Sequence, residues 1–170
     1  EEDKTAQSLL NACDGRFVIF LSAGDILAPI ALYKLVEHHI AKPMSKLIYS
    51  DEDAIENQRR HSPLFKPDWD PDYFYATNYV GRSVAFETGL AQSCCPSFGN
   101  LANLDTQELV LRAAEVLSPD EITHIPRVLY HRGSPAKTSG SPLLPYPMTE
   151  ARRQAVEDSL RRQGRRANTS

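Results

Sequence analysis

A short apolar run that ends abruptly in a polar turn constrains the fold of this chain more than any other feature. The run spans residues 16–21, is almost wholly apolar and partly β-branched, and is followed by Ser-Ala-Gly-Asp at residues 22–25. Such a run predicts a strand that is buried on both faces of a parallel sheet. Ligands bind at the carboxyl ends of strands in these sheets, so Asp25 is a candidate functional residue. The alternative is a plain turn or a helix N-cap.

Helix-like and strand-like patterns alternate around this turn. Apolar residues at helical spacing predict one helix over residues 5–13 and a second over residues 29–41. A second short apolar run predicts a strand over residues 46–50. The predicted buried stripe of the second helix consists of Ile30, Leu32, Leu35 and Val36.

An acidic run, Asp51-Glu52-Asp53, directly follows the second predicted strand. Parallel strands joined by a helix point the same way, so we expect Asp25 and this run to share one edge of the sheet. Converging carboxylates suit a hard divalent cation such as Mg²⁺ or Mn²⁺, above all one that already carries phosphate oxygens. A solvated acidic loop is the alternative interpretation.

A long polar and aromatic segment over residues 56–72 is predicted to be a loop, and loops of this length are usually functional or disordered. It contains the single tryptophan, Trp69, between Asp68 and Asp70. An aromatic ring flanked by carboxylates can stack on a sugar while the carboxylates accept its hydroxyl groups. The alternative is that Trp69 anchors the loop to the core.

The remaining elements follow from the same patterns. His131 ends the last predicted strand, in which Pro126 indicates an edge position or a bend. Arginine pairs on the last predicted helix could contact phosphate or an anionic membrane, or form a solvated face. The predicted helices cover residues 73–79, 105–117 and 149–163, the predicted strands cover 82–87 and 122–131, and residues 167–170 are expected to be frayed.

Composition restricts the class of protein. A chain of 170 residues has the length of one domain. Its net charge of −3 gives no indication of nucleic-acid binding. No apolar run is long enough to span a bilayer. Three cysteines, two of them adjacent, make a poor disulfide framework and favour a reducing cytosol. The opening Glu-Glu-Asp-Lys, without Met, suggests a chain cut from a longer one.

Several stretches together resemble one family. They include Y-S-D-E-D at residues 49–53, F-K-P-D-W-D-P-D at residues 65–72 and H-I-P-R-V-L-Y-H at residues 124–131. In order and spacing, from about residue 5 to residue 162, the chain is similar to family 2 glycosyltransferases of the GT-A fold. It resembles the bacterial enzymes that extend O-antigen and other cell-surface polysaccharides.

The resemblance implies an α/β nucleotide-diphospho-sugar transferase fold that is truncated at the N-terminus, with residues 1–166 forming a partial domain. It implies Mg²⁺ or Mn²⁺ on the donor diphosphate and inverting transfer from a nucleotide-sugar to a saccharide acceptor. A carboxylate would serve as the general base. The expected location is the cytoplasm, at the inner face of the membrane or beside another glycosyltransferase domain.

The resemblance also assigns roles to individual residues. The acidic turn of the family is reduced here to Asp25, and Thr106 stands at the position of the family's base. A catalytically inactive relative that binds a partner is therefore an alternative, and a Mg²⁺-dependent phosphoryl-handling domain is a weaker one. The implied roles are metal binding for Asp25 and His131, general base for Asp105 or Glu108, and sugar binding for Asp51, Glu52, Asp53, Asp68, Trp69 and Asn78.

Overall fold

The structure, a computed structural model, describes residues 6–94, 106–133, 146 and 148–165. Within these ranges, helices lie on both faces of a six-stranded sheet. The strands are β1 (Phe17–Ile19), β2 (Ile26–Leu27), β3 (Leu47–Glu56), β4 (Arg59–Leu64), β5 (Val84–Glu87) and β6 (Ile122–Gly133). The helices are α1 (Ala6–Asn11), α2 (Ala31–Ala41), α3 (Pro71–Ala76), α4 (Thr88–Cys94), α5 (Thr106–Val116) and α6 (Glu150–Arg162).

The sheet is mixed, with the strand order β1-β5-β3-β6-β2 and with β4 paired to β3. Only the central β3–β6 pair is parallel among the described strands. The prediction that residues 16–21 form a strand buried on both faces of a parallel sheet is therefore wrong. β1 is shorter, half-buried and paired antiparallel to β5 at the end of the sheet. Since β1 and β3 both run antiparallel to β5, they point the same way, as predicted.

The two faces of the sheet differ in how well they are covered. One face forms the main core together with α3, α4 and α5, and its fully buried side chains include Tyr49, Phe74 and Leu109. The other face meets α2 in a small cluster of Ala31, Ile48, Ile125 and Leu129.

The predicted buried stripe of α2 is confirmed only at Leu35, because the helix meets the sheet through Ala31 and Leu35. Ile30, Leu32 and Val36 lie on the other side of the helix and are 48%, 60% and 57% exposed. Burial of one apolar stripe therefore explains only part of the hydrophobic sequence of this helix.

The predicted loop over residues 56–72 is partly a β-hairpin. β3 extends to Glu56, and β4 returns beside it after the turn at Asn57 and Gln58. Both turn residues have positive φ, 49° and 63°, as two-residue hairpin turns of the primed type require. Asp70 then caps α3, since its side chain accepts a hydrogen bond from the N–H of Tyr73.

The elements predicted in the second half are confirmed as α5, β6 and α6, although Asp105 and the tail at 167–170 lie outside the described residues. β2 pairs with β6 only at Tyr130 and His131, so at Pro126 no described strand pairs with that side of β6 and the position is locally an edge. The register with β3 also shifts near this proline, between Ser50 and Asp51, which corresponds to the predicted bend.

Candidate functional site

The acidic run at residues 51–53 lies inside β3 and not in a loop. β5 pairs with the start of β3, and β4 and β6 flank its acidic part. The strand therefore continues past Ser50, where the sequence predicted it to end. Asp51, Glu52 and Asp53 are only 4%, 0% and 3% exposed. Buried carboxylates need partners, and each of the three has its own.

Glu52 is enclosed by donors from four segments of the chain. Its Oε2 accepts hydrogen bonds from Lys66 Nζ at 2.9 Å and from the backbone N–H of Arg82 at 3.1 Å. Its Oε1 accepts from the Tyr146 hydroxyl at 2.6 Å and lies 3.0 Å from Arg132 Nε. The side chains of Glu52 and Lys66 are both fully buried. This cluster ties the centre of the sheet to Tyr146.

Electrostatics keeps Glu52 ionised. Burial by itself raises the pKa of Glu52, but the Lys66 ammonium, the Tyr146 hydroxyl and the Arg132 guanidinium together hold this pKa below its usual value. Because protein donors occupy both of its carboxylate oxygens, Glu52 has a structural role in the fold. Its predicted contact with a sugar stays a prediction.

Asp51 belongs to a chain of three polar side chains that reaches solvent. Asp51 Oδ1 lies 2.9 Å from His124 Nε2, and His124 Nδ1 lies 3.5 Å from Asp68 Oδ1. The Tyr49 ring stacks on the imidazole at 4.9 Å. Asp51 is buried, whereas the Asp68 side chain is 96% exposed, so Asp68 is open to a ligand. We did not single out His124 from the sequence, where only the H-I-P motif marks it.

Asp53 and His131 face each other in the register of β3 and β6. Asp53 Oδ1 lies 2.6 Å from His131 Nδ1, and its other oxygen accepts a hydrogen bond from Arg60 Nε at 2.6 Å. A carboxylate on Nδ1 fixes the tautomer and the orientation of an imidazole. Asp53 therefore orients His131, and its own predicted contact with a sugar stays a prediction.

Asp25, predicted to bind metal, is occupied by three protein donors. The backbone N–H of Gly133 donates to its Oδ1 at 2.8 Å, and the Tyr130 hydroxyl donates to its Oδ2 at 2.5 Å. Arg82 Nη1 lies 3.2 Å from Oδ2. The Asp25 side chain is 1% exposed, whereas that of Arg82 is 39% exposed.

A divalent metal does not fit this arrangement. Asp25 already holds a cation, the Arg82 guanidinium. The His131 side chain is engaged by Asp53, and no hydrogen bond or ion pair joins His131 to Asp25 among the described residues. In the described ranges, no group of three or more His, Cys, Asp or Glu side chains is arranged to hold a metal ion. Metal binding by Asp25 and His131 therefore stays a prediction without geometric support.

Trp69 and Asn78 both make contacts within the fold. The half-buried Trp69 ring packs on Phe74 at 5.3 Å and on Tyr79 at 6.5 Å. These contacts favour the alternative that Trp69 anchors its segment to the core. Asn78 is 5% exposed, and its Oδ1 accepts a hydrogen bond from the N–H of Gly81 at 3.3 Å. Sugar binding by these two residues stays a prediction.

Of the two predicted base residues, Glu108 lies in the first turn of α5. Glu108 is partly exposed, and its Oε1 accepts hydrogen bonds from Arg112 Nη2 at 2.9 Å and Nε at 3.1 Å. Asp105, the other candidate, lies outside the described residues. The role of general base therefore stays a prediction for both.

The arginines of α6 are mostly engaged with nearby carboxylates. Arg162 pairs with Glu115 at 2.7 Å, and Arg161 pairs with Asp158 at 2.7 Å. This pattern is typical of a solvated helix face, the second of the two interpretations. Over the described part of the chain, no helix has the length and apolar character needed to cross a membrane.

A group of arginines around Glu52 and Tyr146 could not be identified from the sequence. The Arg132 and Arg152 guanidinium groups lie 5.9 Å and 5.3 Å from the centre of the Tyr146 ring. Arg82 follows Gly81, and a Cβ atom at residue 81 would meet both Glu52 and Tyr146. We call Arg82, Arg132 and Arg152 the arginine edge.

Comparisons with known proteins find relatives in sequence and in fold. The chain is 35% identical over 162 residues to the O-antigen biosynthesis protein RfbC of Myxococcus xanthus. It is 31% identical over 161 residues to the uncharacterized protein y4gI of Sinorhizobium fredii. Each match covers 94% of this chain but only 12% of RfbC and 18% of y4gI. No protein-family model matches the chain.

The fold matches the crystal structure of S. aureus TarS residues 1–349 in complex with UDP-GlcNAc, with a TM-score of 0.56 at 14% identity. The match covers 91% of this chain and 50% of that TarS chain. At this identity the likeness concerns the fold alone. In fold through TarS and in sequence through RfbC, this chain resembles the glycosyltransferases of the GT-A fold.

Proposed function

We propose that this chain is part of a glycosyltransferase of polysaccharide biosynthesis, which transfers a sugar from a nucleotide-diphospho-sugar to a saccharide hydroxyl. Two relatives support the proposal, since RfbC is named for O-antigen biosynthesis and TarS was solved with UDP-GlcNAc. The observation that carries most weight is local. The Arg82 guanidinium pairs with Asp25, and Arg82 and Arg132 both contact Glu52, so guanidinium groups gather here that can meet a diphosphate.

The proposed reaction needs one residue to accept a proton. In an inverting transfer, the acceptor hydroxyl attacks the anomeric carbon, the bond to the nucleotide diphosphate breaks, and a carboxylate takes the hydroxyl proton. We assign this carboxylate to the start of α5, where Asp105 and Glu108 are the candidates. The exposed carboxylate of Asp68 is placed to accept hydrogen bonds from sugar hydroxyls.

The test is release of UDP from UDP-GlcNAc in the presence of cell-surface oligosaccharides, with the anomeric configuration of the product read by NMR. A glycosyltransferase of this kind gives acceptor-dependent UDP release and an inverted product. Glu108→Gln or Asp105→Asn should lower kcat by about 10²- to 10⁴-fold. The matched control is Glu157→Gln on α6. The proposal fails if the folded chain neither binds a nucleotide-sugar nor releases UDP from one.

A second candidate function, a partner-binding module beside an active glycosyltransferase domain, is favoured by the outer face of α2. Leu32, Tyr33 and Ile40 on this helix are 60%, 64% and 74% exposed. Exposed apolar residues in a contiguous patch are typical of interaction surfaces. A module of this kind should co-sediment with a glycosyltransferase domain and lose that association in Ile40→Glu, without any nucleotide binding of its own.

A further inference from the structure

We propose that the arginine edge takes the place of a divalent metal, so that the chain binds the diphosphate of a nucleotide-sugar through Arg82 without a metal ion. This inference rests on the proposed function and names the cation that the donor diphosphate meets. It departs from the Mg²⁺ or Mn²⁺ that the sequence resemblance implies.

The first step concerns Asp25, the carboxylate that remains in the turn at residues 22–25. It is 1% exposed and accepts hydrogen bonds from Gly133, Tyr130 and Arg82. A metal ion at this carboxylate would have to displace the Arg82 guanidinium or lie beside it, and both cations carry positive charge. Gly24, the residue before Asp25, has no side chain to contribute a further ligand.

The second step concerns the rigidity of the turn. Gly133 lies so close to the Gly24 carbonyl that a Cβ atom at residue 133 would overlap it. The Gly133 N–H also donates to Asp25. The end of β6 and the turn are therefore packed backbone against backbone, which holds Asp25 and its guanidinium partner in place without a metal.

The third step concerns the charge that remains for a ligand. A guanidinium has five N–H donors, and the contact with Asp25 uses one nitrogen of Arg82. The Arg82 side chain is 39% exposed, so part of it faces solvent. Its fork of donors matches two phosphate oxygens at once.

The neighbours of Arg82 add further positive charge. The Arg132 side chain is 16% exposed and pairs with Glu52. The Arg152 guanidinium lies over the ring of Tyr146, which also contacts Glu52. Lys66 already balances the charge of Glu52 inside the protein. Three cations, Lys66, Arg82 and Arg132, thus surround the two carboxylates of Glu52 and Asp25, and this surplus of positive charge favours an anionic ligand.

The test is calorimetric titration of the 170-residue chain with UDP, once in EDTA and once in Mn²⁺. We expect the Kd of UDP to differ less than threefold between the two conditions. Arg82→Gln should raise this Kd at least tenfold in EDTA. The matched control is Arg161→Gln, since Arg161 is a 72% exposed arginine of α6 that also pairs with an aspartate; it should leave the Kd unchanged. Circular dichroism and thermal unfolding verify that each variant is folded.

Three results would overturn the inference. Binding that disappears in EDTA and returns with Mn²⁺ would show a metal site, and the proposed function would then stand without this inference. An equal Kd for wild type and Arg82→Gln in EDTA would show that Arg82 does not contact the diphosphate. If UDP binds in neither condition, the inference and donor binding by this chain are both wrong.

Discussion

Glu52 and Asp25 are buried carboxylates that share a neighbour, yet their surroundings differ. Arg82 links them, since its backbone N–H donates to Glu52 and its guanidinium lies on Asp25. Lys66, the ammonium that pairs with Glu52, is fully buried, whereas the Arg82 side chain is 39% exposed. A fully buried ion pair, which we call closed, can only stabilise the fold. An ion pair whose cation is partly exposed, which we call open, can share that cation with a ligand. This difference separates the structural centre from the candidate binding edge.

The largest effect is expected at the closed pair. Lys66→Met leaves Glu52 buried and charged without its main cation, which should lower the free energy of unfolding by about 3–5 kcal/mol. Urea denaturation at neutral pH measures this change. Lys34→Met removes an exposed pair with Glu37 and serves as control, with an expected change below about 1 kcal/mol. Equal effects of the two variants would contradict the distinction between closed and open pairs.

The next effect concerns the space around the Glu52 cluster. Gly81 has a φ of +64°, and a Cβ atom there would lie 2.7 Å from Glu52 Oε2 and 2.8 Å from Cε2 of Tyr146. Gly81→Ala should therefore destabilise the protein by about 1–3 kcal/mol, which thermal unfolding can detect. In Gly89→Ala the new methyl group meets open space in α4, so we expect stability to be kept or to rise slightly. If Gly81→Ala left the stability unchanged, the Glu52 cluster would be loosely packed.

A pH dependence follows from the lowered pKa of Glu52. Burial raises this pKa, but Lys66 and the other donors more than offset that effect. Because the folded-state pKa is below the unfolded value of about 4.5, ionised Glu52 stabilises the fold fully above that pH. This stability is lost as pH falls through the lower folded-state value, with a slope of at most about 1.4 kcal/mol per pH unit. Urea midpoints from pH 7 to pH 3 should fall less steeply in Glu52→Gln, and equal slopes would argue against the lowered pKa.

The smallest effect on stability is expected at the open pair. Arg82→Gln keeps the backbone N–H that donates to Glu52 and leaves the buried Asp25 carboxylate with its Tyr130 and Gly133 donors, so the free energy of unfolding should fall by about 1–2 kcal/mol, less than in Lys66→Met. Urea denaturation of this variant beside Lys66→Met makes the comparison direct. A loss as large as that of Lys66→Met would mean that the Arg82 guanidinium serves the fold and not a ligand.

Local sequence patterns predicted the second half of the fold well. The apolar spacing of α5 and the Thr149 cap of α6 are encoded within a few residues, so these helices lie where the sequence placed them. The shared direction of β1 and β3 was also predicted. The extension of β3 through the acidic run was not, because it depends on pairing with β4 and β6.

The candidate site was only partly predictable, because its contacts join distant parts of the chain. The closeness of Asp53 and His131 requires the register of β3 against β6. Arg82 is 57 residues from Asp25, and Tyr146 is 94 residues from Glu52. No local pattern marks such pairs. The sequence therefore indicated candidate carboxylates and a histidine but not the guanidinium groups that surround them.

The most direct measurement follows the arginine Nε–H signals of the chain by ¹H–¹⁵N NMR while UDP is added in EDTA. If the diphosphate lies on the arginine edge, the signals of Arg82 and Arg132 shift and saturate together, while that of Arg161 stays in place. If Arg82 and Arg132 stay unshifted while UDP binds, the nucleotide is held elsewhere and the proposed donor site is wrong.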